Sequence, residues 1–255
     1  MQKQYVRFEH GGISQYGLLQ GNRVFAVIGD IFGEHEQTSV SLSMDEITLL
    51  VPCLPGKIVC AGLNYRKHAA EMSLPIPVEP TIFIKPPSTL LAHGGEIVYW
   101  PETSRLDFEG ELALVMGSNC HRVAQSEALD YVFGYAIAND VTARDLQHKD
   151  GQWTRGKSFD TFLPLGPVIA TGMDATDLRL ETHLNGELRQ NGRTSDMIFS
   201  PAQLVSFISH VMTLKPGDVI LTGTPCGIGP MQIGDKVEVC IEGLGRLSNT
   251  VRGLS

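Results

Sequence analysis

No stretch of the chain is apolar over the roughly 18 residues that a membrane-crossing helix needs. The opening residues, Met1-Gln-Lys-Gln-Tyr-Val-Arg7, lack the apolar core of a secretory signal. A cytoplasmic protein with no membrane partner is therefore expected. Excess positive charge is missing too. Lys and Arg number 20 against 28 Asp and Glu, a formal net charge of -8. A chain of that sign carries no basic stripe to track a phosphate backbone, so no nucleic-acid partner is expected. Cysteine is scarce and unpatterned. Cys53, Cys60, Cys120, Cys226 and Cys240 are odd in number and form no CxxC pair. That excludes a disulfide framework and a thiolate zinc knuckle as organising devices. Internal repeats and low-complexity segments are absent as well.

What is present fits a globular protein. At 255 residues the chain is long enough for one large domain, or one domain with a small appendage. Hydrophobic residues make up 42% and charged residues 19%, enough for a full core without cross-links. The 27 glycines and 14 prolines point to many tight turns and hence many short strands. Residues 1–50 read as a β-rich unit, with strands over 5–8, 13–19 and 23–28 split by Gly11-Gly12 and Gly21-Asn22, and a polar loop over 29–45. Pro52 and Pro55-Gly56 mark a boundary.

Beyond that boundary strands dominate. They are expected at 58–63, 82–84, 135–138, 178–184 (ending in the hairpin signal Asn185-Gly186), 219–221, 236–241 and 246–251. Residues 106–116 are the longest alternating strand. Helices are expected over 65–72, 126–132 and 141–147, and from Ser200-Pro201 to about Met212, with Ser200 as cap and Pro201 in the first turn. Three prolines between Leu74 and Pro80 forbid a helix there. The irregular placement of helices disfavours a doubly wound sheet or a TIM barrel. The expected fold is α+β, mainly β: a mixed β-sandwich roll with peripheral helices. Its parts would be a small N-terminal unit over 1–55 and a catalytic domain over 56–255.

The chemistry concentrates in a few segments. Alternation along Leu106-Asp-Phe-Glu-Gly-Glu-Leu-Ala-Leu-Val-Met116 sets Asp107, Glu109, Glu111, Ala113 and Val115 on one face. Glu109 and Glu111 would then lie about 7 Å apart and aim the same way. Such carboxylates repel unless a cation or a shared proton intervenes. Oxygen ligands favour Mg²⁺, Mn²⁺ or Ca²⁺ over zinc; an exposed sheet edge fits the same pattern. Asp140 follows an apolar strand and reads by default as a helix cap, with a ligand as the alternative. His68 and Glu71 stand one helical turn apart, either as a general-base dyad or as a surface pair. Arg144 and Asp145 read by default as an exposed charged pair. Lys157, between Gly156 and Ser158, suits a substrate carboxylate or solvent. The glycines of Thr222-Gly-Thr-Pro-Cys-Gly-Ile-Gly229 could bring backbone N–H groups to an anion, or simply make a turn.

Six pieces, in this order and spacing, make the chain resemble the fumarylacetoacetate hydrolase family in its smaller bacterial, acylpyruvase-type form. They are Gly62-Leu-Asn-Tyr-Arg-Lys-His-Ala-Ala-Glu71, Ile84-Lys-Pro-Pro87, Asp107-Phe-Glu-Gly-Glu-Leu112, Asn139-Asp-Val-Thr-Ala-Arg-Asp145, Gly156-Lys-Ser-Phe159 and Leu221-Thr-Gly-Thr-Pro225. The resemblance runs from about Lys57 to Val251. It implies a β-roll, a homodimer, and Mg²⁺ or Mn²⁺ held by Glu109, Glu111 and Asp140. It further implies His68 and Glu71 as the catalytic dyad of a lid, Lys157 as the substrate-binding lysine of the catalytic set, and Arg144, Gln147 and Thr224 as residues lining the site.

The expected activity is metal-dependent hydrolysis of a C–C bond in a small-molecule 2,4-dioxo acid, of acylpyruvate or fumarylpyruvate type, through a metal-bound enolate. Oxaloacetate decarboxylation and isomerisation of 2-hydroxyhepta-2,4-diene-1,7-dioate are the alternatives, since each passes through the same kind of enolate. A non-catalytic β-protein that binds a metal or an anion is the rival of a different class. The presence of both His68 and Glu71 argues against it, because binding alone needs no base.

Overall fold

In the computed structural model, which describes residues 2–254, the chain opens as an antiparallel meander. Its strands are β1 (Lys3–His10), β2 (Ile13–Gln20), β3 (Arg23–Gly29) and β4 (His35–Ser43), followed by the short β5 (Thr48–Leu50). The polar loop expected over 29–45 is thus mostly strand. β4 is an edge strand, half in solvent, held by its ladder to β3 and by polar side chains such as Arg23 Nε donating to Ser41 Oγ at 2.9 Å. With little to bury, its composition mimics a loop.

The remaining elements in chain order begin with β6 (Ile58–Gly62), α1 (Arg66–Glu71), β7 (Thr81–Lys85), β8 (Leu90–Leu91), β9 (Glu96–Tyr99) and β10 (Leu106–Phe108). Next come β11 (Gly110–Met116), β12 (Val132–Asn139), β13 (Thr142–Ala143), α2 (Arg144–Asp150), α3 (Thr154–Lys157) and β14 (Leu163–Thr171). The last are β15 (Arg179–Leu184), β16 (Glu187–Arg193), α4 (Pro201–Val211), β17 (Val219–Leu221), β18 (Gly229–Met231), β19 (Lys236–Ile241) and β20 (Gly245–Gly253).

They assemble into three sheets. The largest has twelve strands, in the path β4-β3-β2-β1-β14-β12-β11-β17-β6-β7, with β5 on β1 and β8 on β14. A five-stranded sheet runs β16-β15-β19-β20-β9, and a three-stranded one β13-β10-β18. The mixed β-roll with peripheral helices is the fold that the sequence leads one to expect. The N-terminal meander continues the large sheet directly, because β1 pairs β14 from Lys3 opposite Thr171 to Tyr5 opposite Ile169. No helix among the described residues is long and apolar enough to cross a membrane.

β11 explains why the layers close. Leu112, Leu114 and Met116 enter a core shared with Leu180 of β15, Val239 of β19, Leu247 of β20 and Val205 of α4. Ala113 and Val115, on the opposite face, enter a second core with Ile58, Leu165 and Leu221. A strand covered on both faces reads as a continuous apolar run, as Leu112 to Met116 does. Each fully buried aliphatic side chain contributes about 1.5–3 kcal/mol of transfer free energy. α4 closes one end of the first core and starts as expected. Ser200 accepts from the Gln203 N–H, Gln203 Oε1 accepts from the Ser200 N–H at 2.8 Å, and Pro201 fills the first turn.

Two helices differ from expectation. The segment over 126–132 makes only a 3₁₀ turn at Ala128–Tyr131, and the helix expected from Val141 starts at Arg144, after the two-residue β13. Asp140 is therefore not a helix cap; Ala143 holds that place. Arg144 and Asp145 do not pair on the surface either. Arg144 is buried, while Asp145 fastens the turn before β10, its carboxylate accepting from Thr103 Oγ1 and from the N–H and Oγ of Ser104 at 2.9 and 2.8 Å.

Partial burial alone would raise the Asp145 carboxyl, but these donors outweigh it and hold it at about 2, below its ordinary 3.8. A depressed carboxyl stabilises the fold above its unfolded-state value and loses that contribution as the pH falls through the folded one. Asp145→Asn should lower stability by a constant amount above about pH 4, and the gap from the parent should narrow below it. Urea unfolding of both proteins from pH 7 to pH 3 measures this; a gap that does not change with pH contradicts the role given to Asp145.

Candidate metal centre and active site

β11 and β12 run antiparallel, with Gly110 opposite Asn139 and Glu111 opposite Ala138. Strand parity then puts Glu111 on the face of Ala113 and Val115, and Asp140, the next residue after β12, on the face of Ala136 and Ala138. These are the same face of adjacent strands, at its rim. Glu109 completes the rim by leaving the ladder. Its N–H goes to Asn139 Oδ1 at 2.9 Å, the next N–H, of Gly110, goes to Gln190 Oε1 at 2.9 Å, and its carbonyl accepts from the Asp140 N–H at 2.8 Å. The single long strand expected over 106–116 therefore breaks at Glu109 into β10 and β11, which belong to different sheets. Carboxylate oxygens of Glu109, Glu111 and Asp140 lie within 4.8 Å of one another, and all three residues are buried. The exposed sheet edge is excluded.

Three buried cations answer these charges. Lys157 Nζ donates to Glu109 Oε2 and Asp140 Oδ2, both at 2.7 Å, and Lys85 Nζ donates to Asp140 Oδ1 at 2.6 Å. Arg144 spreads its guanidinium over Glu109, Asp107 and the Gln147 side-chain carbonyl, the last two at 2.9 and 2.6 Å. Burial works against the Glu109 anion, but Lys157 and Arg144 overcome it and hold the carboxyl well below the usual range. Burial likewise opposes the Lys157 ammonium, and Asp140 with Glu109 offsets this and holds it above its ordinary value. Lys85, fully buried, is lowered by desolvation.

Glu111 has no such partner. It accepts from the Gly223 N–H at 2.6 Å, and desolvation together with Asp140 and Glu109 pushes its carboxyl well above the usual range. A third carboxylate crowded by two others and given no cation of its own fits a site completed by a divalent ion. The oxygen-only donor set suits a hard ion such as Mg²⁺ or Mn²⁺.

The same cavity, of about 300 Å³, is lined by His68, Gln147, Lys157, Arg144 and Thr224 as well as the triad. His68 is buried in α1 and faces the cavity, its Nδ1 3.0 Å from Oε2 of Glu71, which is itself exposed. The other Glu71 oxygen accepts from the Gly227 N–H at 2.9 Å. With Nδ1–H donating to Glu71, Nε2 is the basic nitrogen. α1 is short because Tyr65 is extended before it, while Ser73, in the left-handed region (φ 55°), and the prolines that follow end it.

The glycine-rich loop does gather anions, but they are the protein's own: Gly223 holds Glu111 and Gly227 holds Glu71. Thr224 lines the cavity, yet its hydroxyl is committed, donating to the Gly110 carbonyl at 2.8 Å and accepting from Gln190 Nε2 at 2.7 Å. Gln147 uses its carbonyl on Arg144, which leaves its amide nitrogen for a ligand. Lys157 reaches the floor because α3 packs hard on α2. A Cβ on Gly156 would come within 2.9 Å of the Gln147 nitrogen.

Reasoning from sequence assigned no role to Lys85, Asp107 or Gln190. Lys85 stands in the quoted Ile84-Lys-Pro-Pro87 piece, and Asp107 shares the parity of the two glutamates; both signals were there to read. Gln190 carried none, since its role depends on β16 folding back beneath the break at Glu109. His148 lies exposed at the mouth of the cavity, and His183 and His210 lie outside it.

The family profile described as fumarylacetoacetate (FAA) hydrolase C-terminal matches residues 57–252. The chain belongs to the fumarylacetoacetate hydrolase family. A second profile of that family's proteins, Rv2993c-like N-terminal, matches residues 3–52. The chain is 45% identical to the oxaloacetate tautomerase YisK of Bacillus subtilis, over 85% of this chain and 77% of that protein. It is 47% identical to protein Rv2993c of Mycobacterium tuberculosis, over 86% and 84%. Among solved structures, 2-hydroxyhepta-2,4-diene-1,7-dioate isomerase from Mycobacterium marinum superposes with a TM-score of 0.93 at 40% identity, covering 98% of each chain.

The buried acidic triad gives a direct expectation for this family member. Mg²⁺ or Mn²⁺ added to chelator-stripped protein should raise Tm, by about 2.7 kcal/mol of stabilisation at a hundredfold excess over Kd. Glu111→Gln should weaken Mn²⁺ binding by at least about 100-fold, more than loss of a residue that only supports a ligand. Titration calorimetry with Mn²⁺ measures this; unaltered affinity removes Glu111 from the ligand set.

Proposed function

We propose that the protein is a divalent-cation-dependent enzyme that moves a proton at C3 of a 2-oxo acid, interconverting its keto and enol forms. The observation that carries this reading is that the His68–Glu71 dyad and the Glu109, Glu111 and Asp140 triad line one cavity. A base beside an electrophilic site is what proton abstraction next to a carbonyl requires. The names of the relatives, an oxaloacetate tautomerase and a dienedioate isomerase, support the same class of chemistry.

Mg²⁺ or Mn²⁺, held by Glu109, Glu111 and Asp140, would supply an electrophile that stabilises negative charge on the substrate. The rest is done by side chains. His68 Nε2 takes the C3 proton and afterwards releases it to solvent; the C–H electron pair becomes the C2–C3 double bond; the carbonyl π pair moves onto the oxygen, which takes one proton from solvent in exchange. Glu71 holds the imidazole in the required tautomer and steadies it once charged. Lys157 keeps one N–H beyond its two carboxylate bonds, and the Gln147 amide nitrogen is uncommitted, so both are assigned to substrate oxygens. Thr224 contributes through its main chain, since its hydroxyl proton is engaged with Gly110. A homodimer of twice 27.8 kDa belongs to the same proposal.

Hydrolysis of a 2,4-dioxo acid is the second reading, favoured by the same dyad. His68 could equally deprotonate a water that attacks the distal carbonyl. Decarboxylation of oxaloacetate needs no base, and so separates the role of His68 from that of the triad.

His68→Asn should slow exchange of the C3 protons of oxaloacetate with solvent by about 10²–10⁴-fold. Decarboxylation should fall far less, and Mn²⁺ affinity should hold. ¹H NMR in D₂O with Mg²⁺, run beside acetylpyruvate hydrolysis, tests both readings. Exchange at the parent rate in His68→Asn sinks the proton-transfer role. Acetylpyruvate turned over faster than oxaloacetate exchanges puts hydrolysis first.

A further inference from the structure

The cavity has two unlike halves. On the floor every cation is engaged: Lys157 with Glu109 and Asp140, Lys85 with Asp140, Arg144 with Asp107 and Glu109. Beyond the third Lys157 N–H, which the enolising reaction gives to a substrate oxygen, none is left inside for a second carboxylate of a substrate. Much of the remaining lining is apolar and aromatic: Trp153, Phe83, Leu63, Met72 and Leu74.

Trp153 is held on several sides. Its ring meets Phe83 edge to face, with centroids 5.2 Å apart at 79°. A Cβ built on Gly62 would stand 2.2 Å from the indole carbon Cζ3, so the ring sits where only a glycine leaves room. Its carbonyl accepts from the Lys157 N–H at 3.1 Å, and Lys157 Nζ in turn lies 5.2 Å from the Phe83 ring centroid. The aromatic wall and the ionic floor are thus joined through one helical turn and one phenyl ring. Leu63, also on the wall, takes φ 55°, a left-handed conformation that costs a branched residue about 1–2 kcal/mol. The cavity of about 300 Å³ is of the size that encloses a whole small organic molecule rather than a four-carbon acid alone.

We infer that the site selects monocarboxylic 2-oxo acids bearing an aryl or similarly flat apolar group at C3, and that Trp153 positions that group. The inference rests on the enolising reaction proposed above and names its substrate class. The carboxylate and 2-oxo oxygens go to the floor, and the tail lies against the indole. A flat tail on an indole face gains up to about 1.5 kcal/mol beyond burial, close to a tenfold preference.

Phenylpyruvate is the probe. The sequence has two tryptophans, Trp100 and Trp153, so Trp100→Phe makes Trp153 the only indole reporter. In that background, with Mg²⁺, phenylpyruvate should quench the fluorescence saturably and at lower concentration than oxaloacetate does. In C3 proton–deuterium exchange, the kcat/KM ratio of phenylpyruvate to oxaloacetate should exceed one. It should fall about tenfold in Trp153→Ala, mainly through KM. Trp153→Phe should recover most of the ratio, and Gly62→Ala, which displaces the indole, should lower it.

A ratio below one, or one that Trp153→Ala does not move, overturns the inference. So does a ratio governed by His148→Ala, since that places a second substrate carboxylate at the mouth. Exchange of oxaloacetate with no quenching by phenylpyruvate defeats the tail preference and leaves the enolising reaction standing. Tight quenching with no exchange of either acid does the reverse.

Discussion

Everything in the site depends on gathering four acids, Asp107, Glu109, Glu111 and Asp140, all of them buried. Three buried cations, Lys85, Lys157 and Arg144, face them. Arg105, half exposed, pairs with Asp107 as well, so cations match acids in number, yet none of them pairs with Glu111. Such an assembly is a poor way to stabilise a fold, because desolvating each ion costs several kcal/mol and mutual attraction returns that only with close geometry. Its use is electrostatic. An ion or a developing negative charge that enters meets fixed groups in a low dielectric, with little left to reorganise.

The two apolar cores are what hold this assembly still. β11 feeds one with Leu112, Leu114 and Met116 and the other with Ala113 and Val115, so its backbone is clamped from both sides. Glu109 and Glu111 project from the end of that clamped strand, and Asp140 from the end of its neighbour. The His68–Glu71 pair stands on different ground. α1 is six residues long, ends against a proline-rich stretch and sits over the cavity rather than in the sheet. Rigid acids below and a small, separately anchored helix above suit a reaction in which charge must be held fixed while a proton moves.

Much of this was legible in the chain. Parity along residues 107–115 grouped the acids correctly even though the strand itself breaks at Glu109. The error was harmless because the backbone N–H groups at the break donate to the side-chain oxygens of Asn139 and Gln190, which leaves the Glu109 side chain on the same side. Helical spacing put His68 and Glu71 on one face, and the family resemblance made them a dyad. The order of six short motifs gave the family and, with it, the β-roll. Burial was not legible. Arg144 and Lys157 look like surface cations in one dimension, and only the folding of α2 and α3 onto the floor makes them interior. β4 was missed for the opposite reason: a polar strand at a sheet edge has no hydrophobic period to announce it.

The loop that follows β17 carries a consequence of its own. Within five residues it grips Glu111 through the Gly223 amide and Glu71 through the Gly227 amide. One short piece of main chain thus spans the distance between the acidic triad and the His68–Glu71 pair. The loop is a ruler. Residues inserted between the two glycines would leave the acidic floor intact and the imidazole paired with its glutamate, yet the two halves would fall out of register. Among related chains, the length of this loop should therefore be held more strictly than its side chains, Gly223 and Gly227 excepted.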